Sequence, residues 1–369
     1  MPSANSAGNV VSQAVGAAHD GSYEAAITPD AVDHTSILKG LKKTVLIGST
    51  VDPTNGDTGP RSIHIVGSSK GLLKQGQLLV CNFADKTGAA GKGTTIEMLD
   101  AAPKSKPTTF VSDSRIEGCD GDAISAADNV YASGLTSGVA VKYDANGKYQ
   151  HTYKAPIQEP LGDTDAYCSL SYIPENIYLG DGKTGSIVKW SINGYGNPKE
   201  LQAVTGFGVN GGTGWDALGP SGIVYNGKRI GNYKCTDIVY VADGVDNTLV
   251  AIHYAGNLLV KDEIVVLPGG KTFKCKHKKV TCASLVYSGS PLDAPVALTL
   301  LPNGNLIAAN SKGNKLVEIA ADGTLLATKS IDKSSIPHIF GLAAEGKNDK
   351  DTVLFLTYTK NNSVYELKP

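Results

Sequence analysis

Two cysteines seven residues apart, Cys275 and Cys282, frame the lysine-rich run "FKCKHKKVTC". A hairpin brings residues at this spacing to disulfide distance. A zinc reading would use Cys275, His277 and Cys282, which offers three ligands and no CxxC pair. Free thiols are the remaining reading. The even total of six cysteines favours the disulfide, and a disulfide favours an oxidising compartment.

Three glycine-rich runs imitate chemical motifs. "GFGVNG" at 206–211 matches G-x-G-x-x-G, but "GTGWDALGP" follows it and cannot open the helix that a dinucleotide site needs. "GAAGKGTT" at 88–95 has its glycines too close for a phosphate loop and runs into strand-like text. "GSSKG" at 67–71 joins two strands, whereas a nucleophile elbow joins a strand to a helix. No nucleotide or flavin cofactor is expected. The seven histidines contain no HxH or HExxH pair. His64 in "SIHIV" and His338 in "IPHIF" lie in strand-like text, where a structural histidine is the ordinary reading.

The elements that must carry these residues are strands. Gly accounts for 43 of 369 residues, which signals many tight turns. The net charge of −1 gives no basic field for nucleic acid. No apolar run of about 18 residues occurs, so no membrane span is expected. The opening "MPSANSAGNVVSQAVGAA" has neither a basic n-region nor a long apolar core, so a signal peptide is not expected in this chain. Residues 1–40 read as a poorly ordered or docking segment.

A pattern of apolar run, turn, apolar run, turn, apolar run recurs six times. Its second strands read "LLVCN", "NVYAS", "NIYLGD", "IVYVAD", "NLIAAN" and "LFLTY". The copies stand about 45 to 70 residues apart, near the period of a propeller blade. We therefore expect an all-β, six-bladed β-propeller over 41–369. Its blades would span about 60–113, 121–156, 166–208, 220–267, 295–331 and 339–368. The last copy lacks a strand, and "LKKTVLIGST" at 41–50 lacks a sheet. The N-terminal strand is expected to complete the C-terminal blade and close the ring.

This map places side chains at the channel mouth, where connections enter the innermost strands. The ligand-binding candidates are Arg61, His64, Asn82, Asp122, Asp165, Trp215, Asp216 and His338, with Asp293 and Asn310 at equivalent turns. Asp120, Asp181 and Asp243 are the metal candidates, because clustered hard oxygens suit Ca²⁺. Asp and Asn are also ordinary turn residues. Trp215 beside Asp216 suits carbohydrate or peptide contact, or a packed lid. Cys119 and Cys168 start adjacent strands in this map and are a further candidate pair.

The copies resemble NHL-type propellers, most clearly in "PSGIVY…IVYVADGVDNTLVAIHYAG" and "PVALTLLPNGNLIAANSKGNKLVEIAADG". "GQLLVCNFADKTGAAGKGTTIEML" resembles the first blade of an uncharacterised group of secreted bacterial propellers. "GCDGDAIS" at 118–125 is similar to the ligand-bearing stretch of the calcium-dependent lactonase and phosphotriesterase propellers, which implies Asp120 as a Ca²⁺ ligand. The aligned residues in blades four, five and six are Ser221, Ala294 and Phe340, so most of that shell is missing. An amidating-type lyase would need several channel histidines for zinc. The expectation is an extracytoplasmic, periplasmic or secreted, binding or scaffold protein for a protein or carbohydrate ligand, without an evident catalytic constellation. The alternatives are a Ca- or Zn-dependent hydrolase or lyase at the channel mouth, and a self-associating surface or filament protein.

Overall fold

The computed structural model describes residues 32–369 except 167–174, 193–198, 228 and 231–233. Six antiparallel sheets stand around a central channel, and they form a six-bladed β-propeller. From channel to rim, blade 1 comprises Thr58–Ile65, Leu78–Ala84, Ala90–Leu99 and Thr108–Ser112. Blade 2 comprises Cys119–Ile124, Val130–Gly134, Val139–Tyr143 and Tyr149–Tyr153. The innermost strands of blades 3, 4, 5 and 6 are Pro160–Ala166, Pro220–Asn226, Pro295–Leu300 and Leu342–Glu345.

The expected ring closure is present. Lys43–Ser49 pairs antiparallel with Ser363–Lys368, from Lys43 opposite Lys368 to Ser49 opposite Ser363. The chain just before this strand is captured as well. Buried Glu318, on the third strand of blade 5, accepts hydrogen bonds from the Ile37 and Leu38 amides at 2.9 and 3.0 Å. It also accepts one from the Ser36 hydroxyl. Ile37, Leu38 and Leu41 then enter the apolar layer between blades 5 and 6. This part of the segment lies on the chain's own core; residues 1–31 fall outside the described residues.

The core is a ring of six apolar layers, one between each pair of neighbouring blades. Both faces of a blade are therefore buried, which is why the middle strands read as continuous apolar text. Between blades 2 and 3, Trp190 stacks on Tyr153 with ring centroids 4.6 Å apart.

The end of each second strand carries a repeated latch. Asp181 accepts from the Gln158 and Glu159 amides at 3.2 and 3.1 Å, and Asp243 accepts from the Gly208 amide at 2.9 Å. Asn82 donates to the Thr50 carbonyl at 2.7 Å, and Asn310 to the Pro291 carbonyl at 2.8 Å. Thr357 accepts from the Gly341 amide at 2.8 Å. Each holds the segment that enters its own blade's innermost strand. In blade 2 the equivalent residue is Gly134, opposite Cys119. There the tie is a disulfide, Cys81–Cys119, from blade 1 to blade 2. Cys119 is thus paired with Cys81 and not with Cys168, which lies outside the described residues.

The blade boundaries differ from the sequence reading in two places. Blade 3 begins at Pro160 and not at 166, because the strand "PLGDTDA" carries three polar residues and lacks the apolar signature of the other copies. Blade 4 ends with Cys282–Ser288. The intervening Ile264–Val266 runs parallel to the outer strand of blade 3, Lys199–Thr205, and Phe273–Cys275 pairs beyond it. This excursion covers an exposed sheet edge. The Cys275–Cys282 disulfide fastens it, as expected from the sequence.

Glu318→Ala leaves three donors without their acceptor. Equilibrium urea unfolding is expected to show a loss of about 2 to 4 kcal/mol, since a hydrogen bond to a charged group contributes roughly 1.5–3 kcal/mol. An unchanged midpoint would mean that the N-terminal capture adds nothing to closure.

Candidate functional site

The channel residues are set by β-bulges near the start of the innermost strands. The pairing register skips one residue between Pro60 and Ser62, Cys119 and Gly121, Pro220 and Gly222, and Pro295 and Ala297. In blade 3 it skips from Pro160 to Asp163. A bulge leaves its extra residue unpaired and re-aims the side chain. Arg61, Asp120, Gly162, Ser221 and Val296 therefore face the channel, joined by Phe340 of blade 6.

Arg61 is the centre of this ring. Its Nε forms an ion pair with Asp120, and both side chains are 5% exposed. Its Nη1 donates to the Gly214 carbonyl at 3.0 Å. The guanidinium carbon sits 4.3 Å from the Phe83 ring centroid, 5.0 Å from Phe340 and 5.9 Å from Trp215. Trp215 packs on Phe83 and Phe340 at 4.9 and 5.2 Å. The loop that begins with the Gly206–Gly211 run thus folds over the channel mouth and caps it with an indole. Gly59 is needed beneath it, because a Cβ there would lie 2.6 Å from the Trp215 ring.

Behind this cap lies a cavity of about 390 Å³, within the usual range of ligand sites. Its wall is two-sided. Blades 1 to 3 supply Ser62, His64, Asp120, Asp122, Asp163 and Thr164; blades 4 to 6 supply mostly aliphatic residues, including Ile223, Leu298, Leu300 and Leu342. Along the innermost strands the side chains go from buried near the cap to half-buried at Ile65, Tyr225, Leu300 and Ala344.

Asp122 and Asp163 are 3% and 8% exposed, and none of their four carboxyl oxygens has a hydrogen-bond partner. Burial pushes Asp122 up to about 7, only partly offset by the nearby Ser62 hydroxyl. Asp163 is raised well above the ordinary carboxylate range, first by burial and then by the charges of Asp122 and Asp120. Asp163 packs on the bare backbone of Gly121, where a Cβ would come 2.3 Å from its Oδ1. Asp120 is pushed up to about 6 by burial, against the opposing pull of Arg61. Burial pulls His64 down to about 4, with the Asp122 carbonyl opposing.

Of the residues read as site candidates, Arg61, His64, Asp120 and Asp122 are brought together in the channel and Trp215 caps it. Asp216 is exposed beside the cap. The channel-mouth placement does not hold for the others. Asn82, Asp181, Asp243 and Asn310 are the latches described above, with side chains turned to backbone groups. Asp165 lies outside the channel lining, beside Tyr225. Asp293 is exposed on the loop before blade 5. His338 is held in the blade 5–6 connection by Asp332 at 2.7 Å and lies edge-on to Tyr358. Sequence reasoning missed Asp163 because it began blade 3 after it. Its signal was the latch Asp181, which fixes where the preceding strand must start.

Calcium, implied by the likeness at "GCDGDAIS", needs several oxygen ligands around one point. The residues do not fit it. The positions around Asp120 are Arg61, Gly162, Ser221, Val296 and Phe340. Among the described residues no three His, Cys, Asp or Glu side chains converge on a common point suited to a metal. Blade 5 places Val296 in the ring where the sequence alignment had Ala294.

No family model matches the chain, and no curated protein matches it. Solved structures match in fold. A gluconolactonase from Xanthomonas campestris superposes with a TM-score of 0.57 at 11% identity, covering 92% of this chain and 94% of that one. A streptogramin B lyase superposes at 0.50 with 15% identity, covering 89% and 87%. At these identities the likeness establishes the propeller fold alone.

The raised carboxyls give a pH signature. A carboxyl whose folded pKa is raised contributes stability below its unfolded value of 3.8, and loses it as pH rises through the folded value, about 7 for Asp122. His64 acts oppositely, since its folded value is lowered. Comparing Asp122→Asn with the parent isolates the carboxyl. The Tm of the variant minus that of the parent is expected to grow as pH rises from about 4.5 to about 7.5. A pH-independent difference would contradict the raised value.

Proposed function

We propose that this chain is a small-molecule enzyme of the hydrolase or lyase kind that cleaves a C–O bond in its central channel without a metal. The supporting observation is Asp163: a nearly buried carboxyl facing a ligand-sized cavity, with no protein partner and burial favouring its protonated form. Such a group is suited to donate a proton to a leaving oxygen as the bond breaks. Water then adds in a hydrolysis, or a neighbouring C–H bond breaks in an elimination, and in either case the Asp163 carboxylate left by the first transfer takes up the proton released. Arg61 fixes Asp120 and closes one end of the cavity.

A second reading is a binding propeller for a protein or carbohydrate. The Trp215 cap favours it, because an indole held at the channel end by Phe83 and Phe340 offers a rigid aromatic contact surface. We also propose that the chain is extracytoplasmic, a location that the Cys81–Cys119 and Cys275–Cys282 disulfides support, and that its blades are of the NHL type.

The test is a panel of lactones, aryl esters and β-alkoxy carbonyl compounds, assayed with chelator present. The parent chain is expected to turn over at least one class, and Asp163→Asn to lower kcat by about 10²- to 10⁴-fold, the usual contribution of a general acid. A pH profile should show activity lost at the alkaline end, where the acid ionises. A parent chain inert across the panel, with its fold intact, overturns the enzyme reading in favour of the binding one.

A further inference from the structure

Asp122 is the channel group that the C–O cleavage scheme leaves without work. It projects from the innermost strand of blade 2 into the same cavity as Asp163. Its partner Asp120 already has a cation, Arg61; Asp122 has none. Among the described residues, the ion pairs join no lysine or arginine to Asp122 or Asp163. A buried carboxylate without a counter-charge is unfavourable. The Oγ atoms of Ser62 and Ser221, on blades 1 and 4, make no close hydrogen bond, and Ser62 lies near enough to Asp122 to lower its pKa. Ser221 is 9% exposed. The cavity therefore presents two acids without a counter-charge, two hydroxyls, and an aliphatic wall opposite.

We propose that the channel takes a small molecule carrying a protonated amine on an apolar body, with the ammonium seated on Asp122 and the body lying against Leu298, Leu300 and Leu342. This rests on the reading of the channel as a small-molecule site, and it names the class of substrate. An ammonium group brings up to three N–H donors. One pairs with the Asp122 carboxylate as a charge-assisted hydrogen bond, and the Ser62 hydroxyl beside it can accept another. The aliphatic wall is suited to the hydrocarbon part, so the two-sided lining orients the ligand across the channel. Asp163, packed on Gly121, is left to act on the bond being cleaved. A metal ion would be a poorer occupant, because no three carboxyl, thiol or imidazole groups converge on it among the described residues.

The experiment is calorimetric titration of the full chain, at constant ionic strength with chelator present, using benzylammonium chloride and its neutral isostere benzyl alcohol. Benzylammonium is expected to bind about tenfold or more tightly than the alcohol, since about 1.4 kcal/mol of charge-assisted bonding corresponds to that factor. Asp122→Asn should remove the preference while leaving the affinity for benzyl alcohol. Asp122→Glu, which keeps the charge, should retain part of it. Circular dichroism confirms that each variant is folded. Equal affinity for the two compounds, or a preference that survives Asp122→Asn, overturns the proposal while leaving the channel as a ligand site. If neither compound binds but the Asp163-dependent turnover is found, the amine class alone falls. If neither binds and no turnover is found, both readings fall together.

Discussion

The buried ion pair between Arg61 and Asp120 is the constraint around which the channel is arranged. A guanidinium and a carboxylate removed from water are costly unless their geometry and remaining hydrogen bonds compensate. Here the compensation is local and specific. Asp120 takes Nε, the Gly214 carbonyl takes Nη1, and the rings of Phe83, Phe340 and Trp215 surround the cation. These partners come from four parts of the chain, with Gly214 and Trp215 sharing one loop. Phe83 is on blade 1, Asp120 on blade 2, Phe340 enters blade 6, and Trp215 belongs to the connection between blades 3 and 4. One arginine thus ties four regions across the ring and closes one end of the channel. It also settles the chemistry of that end, because a resident guanidinium stands beside the only acid that the resemblance to calcium-dependent propellers selects.

With that end closed, the remaining lining is asymmetric. The three innermost strands from blades 1 to 3 carry polar and acidic residues, whereas those of blades 5 and 6 carry "PVALTL" and "LAAE". The blades are similar as packing units and different as channel walls. Propeller packing allows this, because the inter-blade layers are built from side chains on the blade faces. The bulge residues at the channel answer to no such packing demand and differ from blade to blade, whereas Ile223, Leu298, Leu300 and Leu342 serve an inter-blade layer and the channel wall together.

This separation also explains what could be read from the sequence. Packing imposes a repeating apolar pattern, so the six copies, their second strands and the orphan strand at 41–50 were legible. Turn chemistry was legible but ambiguous. Asp181, Asp243, Asn82 and Asn310 recur because each latches its own blade's entry segment, and recurrence at a turn looks the same whether the oxygen holds an amide or a ligand. The bulges were not legible. One inserted residue moves every later side chain to the other face, and its own type does not mark it: Arg61, Asp120, Ser221 and Val296 are unlike one another, and the proline before three of them is an ordinary strand-entry residue. Asp163 was hidden for a related reason, since a strand with polar residues facing a cavity lacks the apolar signature by which strands are recognised.

Blade 2 shows how the fold accommodates such a site. It departs from the repeat at each place where the acids are housed. Cys119 stands where blades 1, 3, 4 and 5 have proline and Gly134 where four other blades have Asp or Asn, while Gly121, like Gly222 of blade 4, sits where a Cβ would strike the next blade, here at Asp163. The latch that a polar side chain provides elsewhere is thereby lost in the strand that carries Asp120 and Asp122. The Cys81–Cys119 disulfide restores the tie covalently, at the residue immediately before Asp120. It closes a loop of sequence separation 38, which in the chain-entropy model stabilises by about 4 kcal/mol. Two poorly solvated acids are thus held on a strand anchored by a bond that does not titrate with them. A hydrogen-bonded Asp latch at the same point would have added a further carboxylate beside the cluster and raised its cost.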